Sequence, residues 1–321
     1  MWGVIITIGI TLLYTMIGGM RATAYSDFVQ AIIMAGCFFA AIPLLYSQAG
    51  GTAFVGEFLQ SFSPNMLTWH YGFKDLLGAG AAFGFSICVA PYELARMYTL
   101  RSKRTVKLAI GFSFVFQAII ATSVAAAGMA VRALYPYMHT PDIASTIMAI
   151  NILPPVVGSL IIVAILAAVM STVSGVMLVS ASAFSHDVYA TMIRPKATDK
   201  ERMRVNRLAV LAIGIIPIFL AMRQIDIVQF IVLLQASLTA SFFFATVLLG
   251  LNWKRGTAAG AICSMIGGFS TALIWYISGN PLGLNEVLPG VFVSLILFIV
   301  VSLFTKPAPQ DSLKPFFKDV G

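Results

Sequence analysis

Charged residues are scarce in this 321-residue chain: 10% of its positions are Asp, Glu, Lys or Arg, whereas 59% belong to the apolar set AVILMFWYC. A soluble domain carries about 25% charged residues and places most of them at its surface. So few charges cannot cover a surface that faces water on all sides. A soluble globule, a disordered chain and a nucleic-acid-binding domain are therefore excluded, and the chain is predicted to lie in a lipid bilayer.

Cysteine is also rare, with three residues that all fall inside apolar runs and form no C-x-x-C pair. This placement predicts small buried hydrophobic residues rather than metal ligands or disulfides. The three histidines lie in loops or at the ends of apolar runs, and no His-rich metal motif occurs. A membrane enzyme would need acids, bases or a metal set at mid-membrane, so the chain is predicted not to be an enzyme.

Long apolar runs are the main feature that is present. A spanning helix needs about 20 mostly apolar residues, and nine segments qualify. The predicted segments are 2–19, 25–47, 76–98, 108–131, 152–184, 207–222, 227–253, 257–278 and 286–304. The first lacks the basic flank and the A-x-A site of a signal peptide, so it is interpreted as a true span.

The basic residues of the chain indicate an orientation. If loops alternate between the two sides and the 19–25 loop is cytoplasmic, 17 of the 20 basic residues fall on the cytoplasmic side. Lys74, Arg132 and Arg223 remain on the other side. Cytoplasmic loops carry an excess of Lys and Arg. This rule predicts a cytoplasmic tail at residues 305–321.

Segment 76–98 contains residues that are unusual at the centre of a membrane helix, among them Gly78, Gly80, Gly84 and Pro91. Glycine and proline are tolerated at membrane depth where the freed backbone groups line a cavity. A broken helix of this kind often marks the substrate site of a transporter. Close helix packing through small residues explains the same pattern, and the segment alone leaves both alternatives open.

Ionisable groups are absent from the centres of all nine segments, and Asp27, Glu93 and Arg96 lie near segment ends. Proton pumps and voltage sensors need charges inside the membrane. Neutral oxygens are present instead, because Ala168, Ser171 and Thr172 have the i, i+3, i+4 spacing of one helix face. Such oxygens can replace the water of a monovalent cation, although the spacing alone favours a packing face of small residues.

Four stretches of the chain resemble the sodium/solute symporter family. They are LLYTMIGGMRATAYSDFVQ (12–30), APYELARMYTLRSKR (90–104), ILAAVMSTVSGVMLVSASAFSHDVY (165–189) and LLGLNWKRGTAAGA (248–261). The four motifs occur in the family's order, and together with the nine predicted spans the resemblance extends over essentially the whole chain. The resemblance implies an all-α membrane protein of about nine transmembrane helices, with a partial leucine-transporter-like inverted-repeat fold.

The resemblance also implies a sodium site and a substrate site. Ala168 would provide a backbone carbonyl to sodium, and Ser171 and Thr172 would provide hydroxyls. Sodium would be the coupling ion and the only metal, with no other cofactor. The residues expected to face the substrate are Phe83, Phe85, Ser86, Ile87 and Gln235. Ordinary hydrogen bonds between helices explain Gln235 as well.

Within the family the chain is most similar to sodium/pantothenate symporters, through the stretch GMAVRALYPYMHTPDIASTIMAINILPPVVGS (128–159). The implied function is sodium-coupled import of a small carboxylate such as pantothenate, by alternating access. Monocarboxylates and proline are the alternative substrates. Proline carriers have aromatic residues around the broken helix where this chain has Phe83 and Ile87, which argues against proline.

The resemblance further implies a division of the chain and a set of partners. Residues 1–47 would be the last two helices of a first repeat, 76–253 a second repeat of five helices, and 257–304 two extra C-terminal helices. Family members have four further N-terminal helices, which complete both sites and would be missing here. Sodium, a small solute and membrane lipid are the expected partners, with no nucleic acid. The expected location is the inner (plasma) membrane, and a non-transporting fragment or a sensor module remains the other alternative.

Overall fold

The fold is taken from a computed structural model that describes residues 2–68, 72–221, 228–309, 313–314 and 316–317. Every regular element within these ranges is helical. The basic residue Arg223 and the last residue of the predicted span 207–222 lie outside the described residues. The helices are α1 (Trp2–Gln48), α2 (Thr52–Phe62), α3 (Phe73–Val89), α4 (Pro91–Tyr98), α5 (Lys103–Leu134), α6 (Ala144–Ile147), α7 (Pro155–Ala183), α8 (Asp199–Ala221), α9 (Val228–Asn252), α10 (Ala258–Ile277) and α11 (Val287–Phe304).

Helix α1 joins the two predicted spans 2–19 and 25–47 into one element of 47 residues. Its length of about 70 Å exceeds twice the thickness of a bilayer's hydrocarbon core. The helix is interrupted at Gly19, whose φ of 55° and ψ of −147° are not helical. A residue with a side chain rarely adopts a positive φ. The predicted loop at 19–25 is therefore a kink at Gly19 followed directly by helix.

The predicted break in segment 76–98 is confirmed. Helix α3 ends at Val89, Ala90 is not helical, and α4 begins at Pro91. Proline is suited to a first helical position because it has no N–H to donate. The two helices are bent by 43° at this break.

Several helical elements lie where the sequence predicted loops or a plain span. Helix α2 occupies part of the region between the second and third predicted spans. Two π-helical segments, Met148–Ile152 and Phe184–Ile193, flank α7. The α-helical part of the predicted span 152–184 begins at Pro155, because Leu153 and Pro154 are extended.

The number of spans differs from the nine predicted. Among the described residues, six helices are long and apolar enough to cross a membrane, or seven if the bent pair α3–α4 is one span. Two of the predicted spans are joined in α1, which counts once. Helix α8 is not in this set: its first turn carries Asp199 and Glu201, and basic residues follow them.

The chain forms two compact units. One comprises Met1–Trp69 and Ala95–Ile227, and the other comprises His70–Leu94 and Val228–Gly321. The core of the first unit contains buried residues of α1, α5 and α7, such as Leu45, Val131 and Ile161. The core of the second unit is built on small residues of α3 and α9 against α11, including Ala82, Ala240 and Val287. The predicted sodium residues belong to the first unit and the predicted substrate residues to the second.

Candidate ion and substrate sites

The three predicted sodium residues form a cluster of oxygens on one turn of α7. The Ser171 hydroxyl donates to the Ala168 carbonyl at 2.9 Å, and the Thr172 hydroxyl donates to the same carbonyl at 3.3 Å. Ser171 is half-buried and Thr172 is exposed. A hydroxyl that donates one hydrogen bond keeps two lone pairs as acceptors. This turn therefore presents neutral oxygens that a cation can use.

An ion pair lies directly beside this turn. The Arg96 guanidinium donates through Nη2 to the Asp27 carboxylate at 2.7 Å and to the Ser171 carbonyl at 3.2 Å. The Asp27 side chain is 19% exposed and that of Arg96 is 36% exposed. One nitrogen thus connects α1, α4 and α7 at the candidate ion site. Because the charges of Arg96 and Asp27 cancel, the pair lies beside the oxygens of α7 without adding a net positive charge.

A glycine of α7, Gly175, makes room for this arginine. A Cβ atom on Gly175 would lie 2.8 Å from Arg96 Nη2, closer than packed atoms approach. The absence of a side chain at Gly175 therefore gives the guanidinium its space. Nearby, the Tyr14 hydroxyl donates to the Met170 carbonyl at 3.3 Å, and the buried Ser174 hydroxyl donates to the Ser171 carbonyl at 3.1 Å.

Sequence reasoning missed this ion pair. It noted Asp27 and Arg96 as charges near segment ends but did not pair them, because 69 residues separate them along the chain. Both residues lie in recognised stretches, 12–30 and 90–104. The available signal was that an acid of one motif, Asp27, and a base of another, Arg96, both lie near the ends of segments whose centres carry no charge.

The predicted substrate residues on α3 occupy different environments in the second unit. Phe83 and Phe85 are partly buried and pack against the core of that unit. The Phe85 ring lies 4.3 Å from the Phe244 ring, measured between centroids. Ser86 is buried, whereas Ile87 is 62% exposed. The structure therefore gives Phe83 and Phe85 a packing role and leaves Ile87 accessible.

Gln235, the remaining predicted substrate residue, is exposed and lines a shallow, open cavity of about 400 Å³ at the surface of the second unit. Its side-chain amide donates to the Thr239 hydroxyl at 2.8 Å. The other cavity residues are apolar and include the rings of Phe242, Phe243 and Phe269. The α3 residues do not line this cavity, so the structure does not bring Gln235 together with them there. Thr239 was missed, although its i+4 spacing from Gln235 places both on one helix face.

Within the ranges that the structure describes, no group of three or more His, Cys, Asp or Glu side chains could hold a metal ion. The turn of α7 offers hydroxyl and carbonyl oxygens, and the Asp27 carboxylate lies nearby, paired with Arg96. Oxygen is the ligand type that hard cations prefer.

Comparison with known proteins identifies the family of this chain. Residues 1–268 match the model of the Sodium:solute symporter family. The chain belongs to the sodium:solute symporter family. Sodium is the coupling ion of this family, which needs no other cofactor, and the chain is accordingly a multi-pass membrane protein.

Individual symporters match nearly the whole chain. The osmoregulated proline transporter OpuE of Bacillus subtilis is 30% identical over 98% of this chain and 65% of its own length. The high-affinity proline transporter PutP of the same species is 30% identical over 99% of this chain and 68% of its own length. A sodium/proline symporter of Staphylococcus aureus is 28% identical over 95% of this chain and 62% of its own length. The chain thus spans about two thirds of the length of these relatives.

A solved structure confirms the fold class. It is the substrate-bound outward-open state of a Na⁺-coupled sialic acid symporter, and it covers 96% of this chain with a TM-score of 0.76 at 19% identity. The chain covers 67% of that structure. The all-helical, leucine-transporter-like fold predicted from the sequence is therefore confirmed.

Proposed function

We propose that this chain takes part in sodium-coupled import of proline, as a secondary transporter that works by alternating access. The observation that carries the proposal is the pair of Bacillus subtilis relatives named as proline transporters, each 30% identical over at least 98% of the chain. These relatives support the alternative substrate, proline, and give no support to pantothenate. The aromatic argument against proline, drawn from Phe83 and Ile87, is outweighed by this similarity.

The sodium ion is proposed to bind at the turn of α7 that contains Ala168, Ser171 and Thr172. Two hydroxyls already converge on one carbonyl there, within 3.3 Å. A monovalent cation is held by several neutral oxygens that replace its water shell. Arg96 is proposed to hold the Ser171 carbonyl in position through its hydrogen bond of 3.2 Å.

The substrate is proposed to contact Gln235, with Phe83, Phe85, Ser86 and Ile87 as further candidates. A ligand pocket is mostly apolar and has a few polar groups that orient its occupant. The cavity at Gln235 has this composition, because an amide and a hydroxyl lie among aromatic rings. The ring methylene groups of proline are apolar and would pack on such rings, while the ammonium and carboxylate of proline would meet the polar groups.

Transport would follow from these two sites by population shift. Sodium binding would stabilise the outward-open state, and rocking of one repeat against the other would expose both ligands to the cytoplasm. Each charge that crosses 100 mV releases about 2.3 kcal/mol, which is enough to concentrate a neutral solute tens of fold. The division into repeats at 1–47 and 76–253, the extra helices at 257–304 and the cytoplasmic C-terminus in the inner membrane belong to this proposal.

Uptake into proteoliposomes tests the function. The purified full chain is reconstituted, and entry of labelled proline is followed with an inward sodium gradient, with equal sodium on both sides and with potassium only. The proposal predicts gradient-dependent accumulation that unlabelled proline abolishes and pantothenate leaves unchanged. Competition by pantothenate instead of proline would reverse the substrate assignment.

Removal of the α7 hydroxyls should weaken sodium binding. Ser171→Ala or Thr172→Ala deletes one proposed ligand, and we expect the sodium concentration for half-maximal proline binding to rise about ten-fold, which is the loss of about 1.4 kcal/mol. Scintillation proximity binding at graded sodium concentrations measures this. The matched control is Ser159→Ala, because the Ser159 hydroxyl makes the same kind of bond on the same helix, to the Pro155 carbonyl at 2.7 Å. Equal sodium dependence in all three variants would remove Ser171 and Thr172 from the site.

A further inference from the structure

A ladder of aromatic rings runs along α2. Phe54, Phe58 and Phe62 follow one another at i, i+4 and i+8, and their successive ring centroids are 6.2 and 5.3 Å apart. Phe54 and Phe62 are 48% and 37% exposed. The adjacent side of α2 is buried through Val55 and Leu59, and Phe58 packs against the same cluster. The helix therefore has one side in the protein, and its aromatic ladder is partly exposed at Phe54 and Phe62.

The last ring of the ladder lies between a cation and a second aromatic residue. The Arg132 guanidinium sits 5.5 Å above the centroid of the Phe62 ring. The Tyr137 ring meets Phe62 edge-on at 5.5 Å and is 85% exposed. In the part of the chain that the structure describes, no carboxylate pairs with Arg132. The guanidinium thus has an aromatic contact and, among the described residues, no anionic partner.

The position of Arg132 along α5 places this cluster at a membrane surface. Helix α5 has 32 residues and is about 48 Å long, which exceeds the hydrocarbon core of about 30 Å. The apolar stretch 108–131 fills that core, so Arg132 is the first residue beyond it. Helix α2 packs against this end of α5, since Val55 and Leu59 share a buried cluster with Ala133.

We propose that the α2–Arg132 cluster, made of Phe54, Phe58, Phe62, Arg132 and Tyr137, binds the phosphodiester headgroup of a membrane phospholipid. Arg132 donates to the phosphate through its N–H edge while Phe62 holds the plane of the guanidinium. A planar guanidinium recognises phosphate through two parallel hydrogen bonds and stacks on aromatic faces. The exposed rings lie at the boundary between headgroups and acyl chains, where aromatic residues collect. The lipid is the occupant because the cluster lies at the end of the membrane-spanning helix α5 and because the charge that has no carboxylate partner among the described residues, that of Arg132, is positive.

Photocrosslinking tests this at residue resolution. The full chain is placed in liposomes that contain phosphatidylglycerol with a photoactivatable group near its headgroup, and the crosslinked peptides are mapped by mass spectrometry. We expect crosslinks in 54–67 and 132–137. Arg132→Gln should lower their yield about ten-fold, the equivalent of about 1.4 kcal/mol, and Phe62→Leu should lower it less. Arg132→Lys should keep part of the yield, because a lysine retains the charge without the stacked fork.

The basic loop at the opposite end of α5 provides an internal control. Crosslinks near the exposed Arg101 should persist in the Arg132 and Phe62 variants and fall only in Arg101→Gln. Their persistence also shows that the Arg132 and Phe62 variants are folded in the bilayer. Excess inorganic phosphate should not displace the lipid, because the aromatic contacts need acyl chains. Unchanged crosslinking at 54–67 in Arg132→Gln would overturn the proposal. So would displacement by free phosphate, or crosslinks from α2 to a second copy of the chain in place of lipid.

Discussion

Arg96→Gln is expected to destabilise the folded chain and to impair sodium-dependent binding together. The substitution removes the cation that contacts the partly buried Asp27 carboxylate at 2.7 Å and the Ser171 carbonyl at 3.2 Å. Hydrogen bonds to charged groups contribute about 1.5–3 kcal/mol each. The exposure of Arg96, 36%, places its loss toward the lower part of that range. We expect the free energy of unfolding in mixed micelles to fall by about 2 kcal/mol.

A double-mutant cycle separates the pair from its surroundings. Asp27→Asn, Arg96→Gln and the double variant give a coupling energy, which we expect to be about 1–2 kcal/mol. The control pair is Arg194 and Glu201, whose guanidinium and carboxylate are 2.5 Å apart and whose side chains are 62% and 26% exposed, which makes it the more exposed of the two pairs. Exposed pairs contribute about 0–1 kcal/mol. A coupling of Asp27 with Arg96 no larger than that of the control pair would contradict the structural role assigned to Arg96.

The same variants distinguish positioning from stability alone. If Arg96 holds the turn of α7 that carries the proposed sodium ligands in position through the Ser171 carbonyl, Arg96→Gln raises the sodium concentration for half-maximal proline binding, and saturating sodium restores the signal. Arg194→Gln should leave that concentration unchanged. A uniform loss of binding capacity, with the sodium dependence preserved, would assign Arg96 to the fold only.

Among glycine-to-alanine substitutions in the first unit, Gly158→Ala is expected to lower the free energy of unfolding the most. A Cβ at Gly158 would overlap the Ala149 carbonyl oxygen and lie 2.9 Å from its carbon. Those atoms are backbone of the π-helical segment Met148–Ile152, so no side-chain rotation relieves the contact. Overpacking costs about 1–3 kcal/mol even where neighbours can move. We expect a loss of about 3 kcal/mol in unfolding free energy, or failure to accumulate in the membrane.

Gly111→Ala is the matched control for this substitution. Gly111 lies within α5, and a Cβ there would meet nothing within 4 Å. Alanine is favoured over glycine in a helix by about 1 kcal/mol, so this variant should be neutral or more stable. Equal stability of the Gly158 and Gly111 variants would contradict the close approach of α7 to the preceding segment.

The positions of the long helices were predictable because apolar runs of membrane length are a local property of the sequence. The break between α3 and α4 was predictable for the same reason, since Pro91 cannot donate a backbone hydrogen bond. The kink at Gly19 was taken for a loop: Arg21 and the glycine pair indicated an interruption, but nothing local says whether the chain stays helical after it. Helix α2 is short and amphipathic, and a search for apolar runs does not detect it.

Within the candidate site, too, only the contacts made by neighbouring residues of one helix were predictable from the sequence. Ala168, Ser171 and Thr172 were found because their meeting depends on helical spacing within a single turn. Their meeting with Arg96 and Asp27 depends on how α1, α4 and α7 pack, and one sequence carries no information on that pairing. Gln235 was found as a polar residue in an apolar run, whereas the rings around it come from α9 and α10 together and could not be placed in advance. Substrate choice likewise came from relatives rather than from any residue pattern.

Direct binding of ²²Na⁺ to the purified full chain tests most sharply the claim that α7 holds the coupling ion. The measurement compares the unmodified chain, the Ser171→Ala/Thr172→Ala double variant and the Ser159→Ala control, with and without proline. For the unmodified chain we expect saturable sodium binding whose affinity proline increases. The double variant should bind sodium at least ten-fold more weakly, and the Ser159→Ala control should bind it with unchanged affinity. Sodium binding of equal affinity in the double variant and the control would contradict the claim.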